Sequence, residues 1–127
     1  MAVGVVAAVC AAGFGAETQA ATPIYIQDIT SVPKIKPSRI ILTNHAAVSR
    51  LRWSSYGGTR ATATGKLNLV QCEPTCAEGP SVKYRARITV SAPRTCEEKR
   101  HYTKIRVRYR SSGVWKTGVF DRLNAPC

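Results

Sequence analysis

The sequence predicts an all-β domain, a small antiparallel β-sandwich or barrel with two disulfides. Three observations lead there. Short segments of alternating apolar and polar residues recur along the chain, separated by Gly- and Pro-bearing turns. No window sustains the 3.6-residue apolar period of a helix. Four cysteines, Cys72, Cys76, Cys96 and Cys127, follow an apolar leader, and an even set in a small exported domain reads as a disulfide framework.

The chain has 127 residues, enough for one domain. Residues 1–21 are expected to be a secretory signal peptide and 22–127 the secreted β-domain, extracellular or at the cell envelope. Residues 2–16 are small or apolar and uncharged, polar residues begin at Glu17, and small residues close the segment at Ala20 and Ala21. The apolar run is shorter than the roughly 20 residues that span a bilayer. No Lys or Arg precedes it, so the basic flank of a signal is missing. Cys10 lacks the preceding Leu and small residue of an acylated cysteine, so no lipid anchor is expected.

Within 22–127, Ile24 and Ile26 alternate in an edge strand, and Pro33 and Pro37 suit the extended lead-in after it. "RIILT" (39–43) reads as a strand and "NHAAVS" (44–49) as a turn or single helical turn. "RLRWSSYG" (50–57) sets Leu51 and Trp53 against Arg50, Arg52 and Ser54, and Gly57-Gly58 turns the chain. "TRATATGKLNLVQ" (59–71) places Leu67 and Leu69 inward, with a bulge suggested by Gly65. "CEPTCAEGP" (72–80) is a tight loop. The two most regular strands follow, "VKYRARITV" (82–90) and "YTKIRVRYR" (102–110), joined by a loop over 91–101. "SSG" (111–113) connects to a last strand, "VWKTGVF" (114–120).

Cys72–Cys76 with Cys96–Cys127 is the preferred pairing. The first closes a short Pro-containing loop and the second staples the last residue to the body. On loop entropy the long closure contributes about 3.5–4 kcal/mol and the short one about 2 kcal/mol.

Charge supplies the functional expectation. Lys and Arg total 19 against 7 Asp and Glu, a net charge of +12, and every basic residue lies at or beyond Lys34. If the two regular strands pair, Lys83, Arg85, Arg87, Lys104, Arg106, Arg108 and Arg110 share one face. Like charges side by side on a sheet are destabilising. An external anion is therefore expected there: an anionic polymer, a lipid headgroup or an acidic protein surface. The blander alternative is a solvated face whose long side chains cover apolar surface and blunt edges. Tyr84 and Tyr109 fall on the opposite side and only Tyr102 joins the cations, so no sequence-specific nucleic-acid contact is expected. The chain is a monomer or an oligomer of unspecified order.

Two other function classes compete. A small secreted ribonuclease-like hydrolase would use His45 and His101, both in predicted loops, as acid and base, with Glu97 and Glu98 near His101. A protease-inhibitor-like protein would present "CEPTC" as a braced loop. There is no Gly-x-Ser-x-Gly elbow and no Walker loop, and no catalytic residue, cofactor or metal is assigned. Cys72, Cys76, Cys96 and His101 have the ligand types of a zinc site, but export favours disulfides.

From Leu51 onward, "LRWSSYGG", "ATATGKLNL" and "CEPTCAEGP" followed by an alternating strand resemble a group of small secreted actinobacterial proteins without an assigned function. The matching positions are Trp53, Tyr56, Gly57, Gly65, Cys72, Pro74, Cys76, Ala77, Gly79, Tyr102 and Thr103. The group more often has Trp where this chain has Tyr56. The resemblance covers roughly half the chain, implies export and a β-rich domain, and carries no activity.

Overall fold

The computed structural model describes residues 22–72, 75, 77, 79–118 and 120–127. The predicted signal segment, the 72–76 bridge at Cys76 and most of the "CEPTC" loop lie outside them. All elements are strands: β1 Ile24–Gln27, β2 Pro33–Lys34, β3 Ile40–Thr43, β4 Ala46–Ser55, β5 Arg60–Val70, β6 Ser81–Cys96, β7 Lys99–Ser111 and β8 Val114–Thr117. They form one curled sheet, a half-barrel, in the order β2-β1-β7-β6-β5-β4-β3, with β8 also pairing β7.

The all-β expectation holds, but the sheet is mixed. β1 runs parallel to β7, with Ile24 opposite Arg100 and Tyr25 opposite His101, while the other strand pairs are antiparallel. β1 is also not the edge strand expected of it, because it lies between β2 and β7. The segment expected as a turn over 44–49 narrows to Asn44 and His45, and β4 begins at Ala46.

The 91–101 loop is replaced by ladder, broken only at Ala92. β6 and β7 stay paired from Arg85↔Arg110 to Cys96↔Lys99, leaving only Glu97 and Glu98 as the turn. Both have positive φ, 50° and 71°, as a two-residue hairpin turn matching strand twist requires. Ala92, at φ 55°, interrupts the ladder on the way, and the Thr103 hydroxyl donates to its carbonyl at 2.7 Å.

Inward residues follow the pleat. Ala86, Ile88 and Val90 of β6, Val107 of β7 and Leu67 of β5 are fully buried. Each large aliphatic side chain so placed contributes about 1.5–3 kcal/mol. Small residues, Ala61, Ala63, Gly65 and Ala86, line the middle of the concave side, and their lack of bulk lets the sheet curl. The expected bulge is real, but its extra residue lies in β4. Ser49 faces Lys66 and Arg52 faces Thr64, so Arg50 and Leu51 together oppose Gly65. A Cβ on Gly65 would sit 2.5 Å from the Ser49 carbonyl oxygen.

Two contacts bring the ends of the curled sheet together. The Ile41 amide donates to Asp28 Oδ2 at 2.8 Å, and the Ile29 amide donates to the Ile41 carbonyl at 3.4 Å. Asp28 Oδ1 meanwhile accepts from the Thr30 amide and hydroxyl. Burial alone would raise the Asp28 pKa, but these hydrogen bonds and the Lys34 charge outweigh it and hold it below 3.8.

An aromatic cluster closes one end of the core. Trp53, Tyr56 and Tyr102 meet edge-to-face, with centroids 5.1 and 5.5 Å apart. Trp53 Nε1 donates to the Pro37 carbonyl, Tyr56 to that of Ile24 and Tyr102 to that of Gly58, and the Gly57 amide donates to the Tyr102 oxygen. Tyr102, expected on the basic face, is instead buried. It lies beyond the Ala92 irregularity, where residues 56–58 cover it through the Gly57 and Gly58 hydrogen bonds.

Residues 118 and 120–124 run along the outer edge of β7 between β8 and β1. Gly118 donates to Val107, Asp121 accepts from Ile105, Leu123 donates to Thr103, and Asn124 donates to Gln27 of β1. Cys127 then bonds to Cys96 at the far end of β6, as predicted.

Candidate polyanion-binding face

The seven predicted cations all lie on exposed positions of β6 and β7. Alternation puts them there, since Ala86, Ile88, Ile105 and Val107 between them are buried. The register opposes Arg85 to Arg110 and Arg87 to Arg108, while Arg106 faces Thr89 and Lys104 faces Ser91. Lys83 lies further along, paired with Asn68 of β5.

The face extends beyond those seven. Lys66 of β5 is opposite Arg85, and Arg52 of β4 is opposite Thr64. The β4 bulge brings Arg50 to the same surface with φ 54°, a backbone region that non-glycine residues rarely occupy. With Arg85, Arg87 and Arg110, these three line a groove of about 460 Å³ that runs over the backbone of Gly65 and Ala86.

Trp115 forms one wall of that groove. It pairs with Arg110, its ring lies 4.8 Å from the Arg87 guanidinium carbon, and those of Arg108 and Arg110 are each 6.0 Å away. Sequence reasoning misses it by reading a three-residue connection over 111–113. The turn is Ser112-Gly113, both at positive φ, so Ser111 pairs with Val114 and Trp115 stands beside Arg110. A one-residue difference in a hairpin register flips every side chain to the other face. The Ser-Gly pair before an alternating strand is the available signal.

The face divides electrostatically. A second cavity, of about 320 Å³, holds Arg60, Lys104 and Arg106 together with Asp121, so that end carries its own carboxylate. The Trp115 groove has none in its lining. Glu97 and Glu98 lie past the end of β6, ten residues and more beyond Arg87 (97 − 87 = 10), or about 30 Å in extended strand. They do not neutralise the groove.

The two histidines are not brought together. His45 is exposed in the turn before β4, at the end of the sheet where Ala46 faces Leu69 and Leu69 faces Val82. His101, expected in a loop, lies in β7 opposite Arg94, twelve residues along β6 from Val82 (94 − 82 = 12). It is 1 % exposed with Nδ1 unpartnered. Burial, and then the Lys99 charge, hold its pKa below 6.5 against the pull of Glu97. An acid–base pair needs both groups within hydrogen-bond reach of one substrate, so these two cannot form one. Cys96, one of the four candidate zinc ligands, is committed to Cys127. Tyr84 and Tyr109 pack against the core as expected, rings 5.2 Å apart.

Comparison with family models, curated proteins and solved structures gives no match for this chain. Among the described residues, no helix is long and apolar enough to cross a membrane.

Proposed function

We propose that this protein is an exported, non-catalytic module that binds an anionic polymer or surface at the cell envelope through the convex face of β4–β8. The observation that carries the reading is the groove in which Arg50, Arg52, Lys66, Arg85, Arg87 and Arg110 converge with no carboxylate in the lining. Arginines directly opposite one another repel, and a polyanion relieves that repulsion while its counterions are released. Export is supported by the Cys96–Cys127 bridge, since such bonds persist in oxidising compartments. The bridge expected between Cys72 and Cys76 belongs to the same reading, as does kinship with small exported proteins that carry this Cys-x-Pro-x-Cys loop.

The test is retention on an immobilised polyanion across a salt series. Wild-type protein should be retained, with affinity falling steeply and log-linearly with salt. The Arg87→Gln/Arg108→Gln variant should show a slope shallower by about 1–2, at roughly 0.7–0.9 for each phosphate no longer neutralised. Retention that ignores salt, or an unchanged slope in the variant, would overturn the assignment.

A further inference from the structure

The groove lining is almost wholly donor. Arginine and lysine side chains donate and do not accept, the indole N–H of Trp115 donates, and the Thr64 hydroxyl is the one acceptor side chain in the lining. A polysaccharide brings ring hydroxyls that need acceptors as well as donors. Guanidinium forks pair with carboxylate and phosphate alike, but a chain of phosphate groups offers acceptor oxygens alone. The lining chemistry therefore selects phosphate over uronate.

Trp115 has a second, separable part in this. Arg87 and Arg108 are opposed across the ladder, and Arg110 is the next outward residue of β7. Their guanidinium groups gather on one indole at 4.8, 6.0 and 6.0 Å. The ring's negative face offsets their mutual repulsion. Holding the forks in place before a ligand arrives also lowers the ordering cost of binding. Arg50, across the groove, is kept there by a backbone conformation that non-glycine residues rarely adopt, as is common where a site requires one geometry.

Resting on the anionic-polymer reading above, we infer that the Trp115 groove is a binding site for a chain of phosphate groups, with Trp115 as the positioning residue that orders Arg87, Arg108 and Arg110. Whether the phosphates belong to a nucleic-acid backbone or to inorganic polyphosphate, the recognising chemistry is the same.

The experiment titrates the oxidised protein with linear inorganic polyphosphate, oligothymidylate and polygalacturonate at matched charge and fixed ionic strength, followed by calorimetry and tryptophan fluorescence. Polyphosphate or oligothymidylate should bind at least tenfold more tightly than polygalacturonate, and the tighter of the two identifies the source. Trp115→Ala removes no charge, so simple attraction to a basic face predicts no change. The inference predicts a loss of tenfold or more, with Trp115→Phe in between. Lys99→Gln removes a charge at the distant hairpin turn and should cost less than twofold. Arg87→Lys keeps the charge but loses the fork and its stacking on the ring, so it should also weaken binding several-fold and serves if Trp115→Ala fails to fold. Equal affinity for polygalacturonate, or an unaffected folded Trp115→Ala, overturns the inference while leaving the anionic-polymer reading intact. Binding to none of the three overturns both.

Discussion

At the scale of single residues, four positions set measurable limits on stability. Gly65 faces a two-residue bulge at close range, so Gly65→Ala would press a methyl group onto the Ser49 carbonyl. It should cost about 1–3 kcal/mol, the usual range for overpacking, read as a lower denaturant midpoint. Asp28 and His101 set the acid response in two separate windows. The folded-state pKa of His101 is depressed from 6.5, so its neutral form is favoured by folding. That contribution is complete above pH 6.5 and is lost as pH falls toward the folded value. The Asp28 pKa is depressed from 3.8, so its contribution persists to lower pH and disappears below about 3.8. Urea midpoints should therefore drop first as pH falls below about 6.5, a drop absent in His101→Phe, and again below about 3.8, where Asp28→Asn removes the second step. Tyr56 acts at the opposite extreme: burial, reinforced by Tyr102 against a backbone hydrogen bond from Lys36, raises its pKa to about 12. Its stabilising neutral form should be lost as pH climbs from 10 towards 12, seen as alkaline unfolding that Tyr56→Phe shifts upward.

At the scale of elements, the hairpin of β6 and β7 shows how much of this protein is legible in its sequence. Its alternating residues place all seven cations outward, because period-two patterning survives any register that keeps the pleat. What the pattern cannot supply is where the pairing stops. "CEEK" carries no Asn-Gly or Asp-Gly, so the two-residue turn at Glu97-Glu98 is hidden behind residues that seldom take positive φ. Tyr102 is misplaced for a related reason, since the positive φ at Ala92 has no signature in an Ala-Pro pair and the residues that cover Tyr102 are more than forty positions away. The parallel pairing of β1 with β7 joins residues 76 apart (100 − 24 = 76), too distant for local patterning to reveal. Replacing Glu98 with Gly should relieve about 1 kcal/mol of left-handed strain, visible as a raised melting temperature. Arg50→Gly should relieve a comparable strain in β4 while removing a cation from the groove. Gained stability and weakened polyanion retention in the same variant would show that the bulge serves binding at the expense of the fold.

At the scale of the whole molecule, the sheet is held at its margins. Asp28 joins β1 to β3, residues 118 and 120–124 cover β7, and Cys96–Cys127 fastens the covering segment. The disulfide closes a separation of 31 residues, which in the chain-entropy model stabilises by about 4 kcal/mol. Cys96→Ser/Cys127→Ser should lower stability by an amount of that order, and hydrogen exchange should rise first at the amides of Ile105, Leu123 and Asn124, which donate across the uncovered edge. Polyanion binding by the folded fraction should persist, because the Trp115 groove lies away from the bridge.

The lacing of residues 118 and 120–124 along β7 also sets an order of assembly. β1 can pair with nearby β2 at once, but its parallel ladder to β7 and the Asn124 amide that bonds Gln27 lie 76 and 97 residues further along (100 − 24 = 76; 124 − 27 = 97). Contacts so remote close slowly, because the entropy of a long loop is lost before they form. The Cys96–Cys127 bond then locks a seam that closed late.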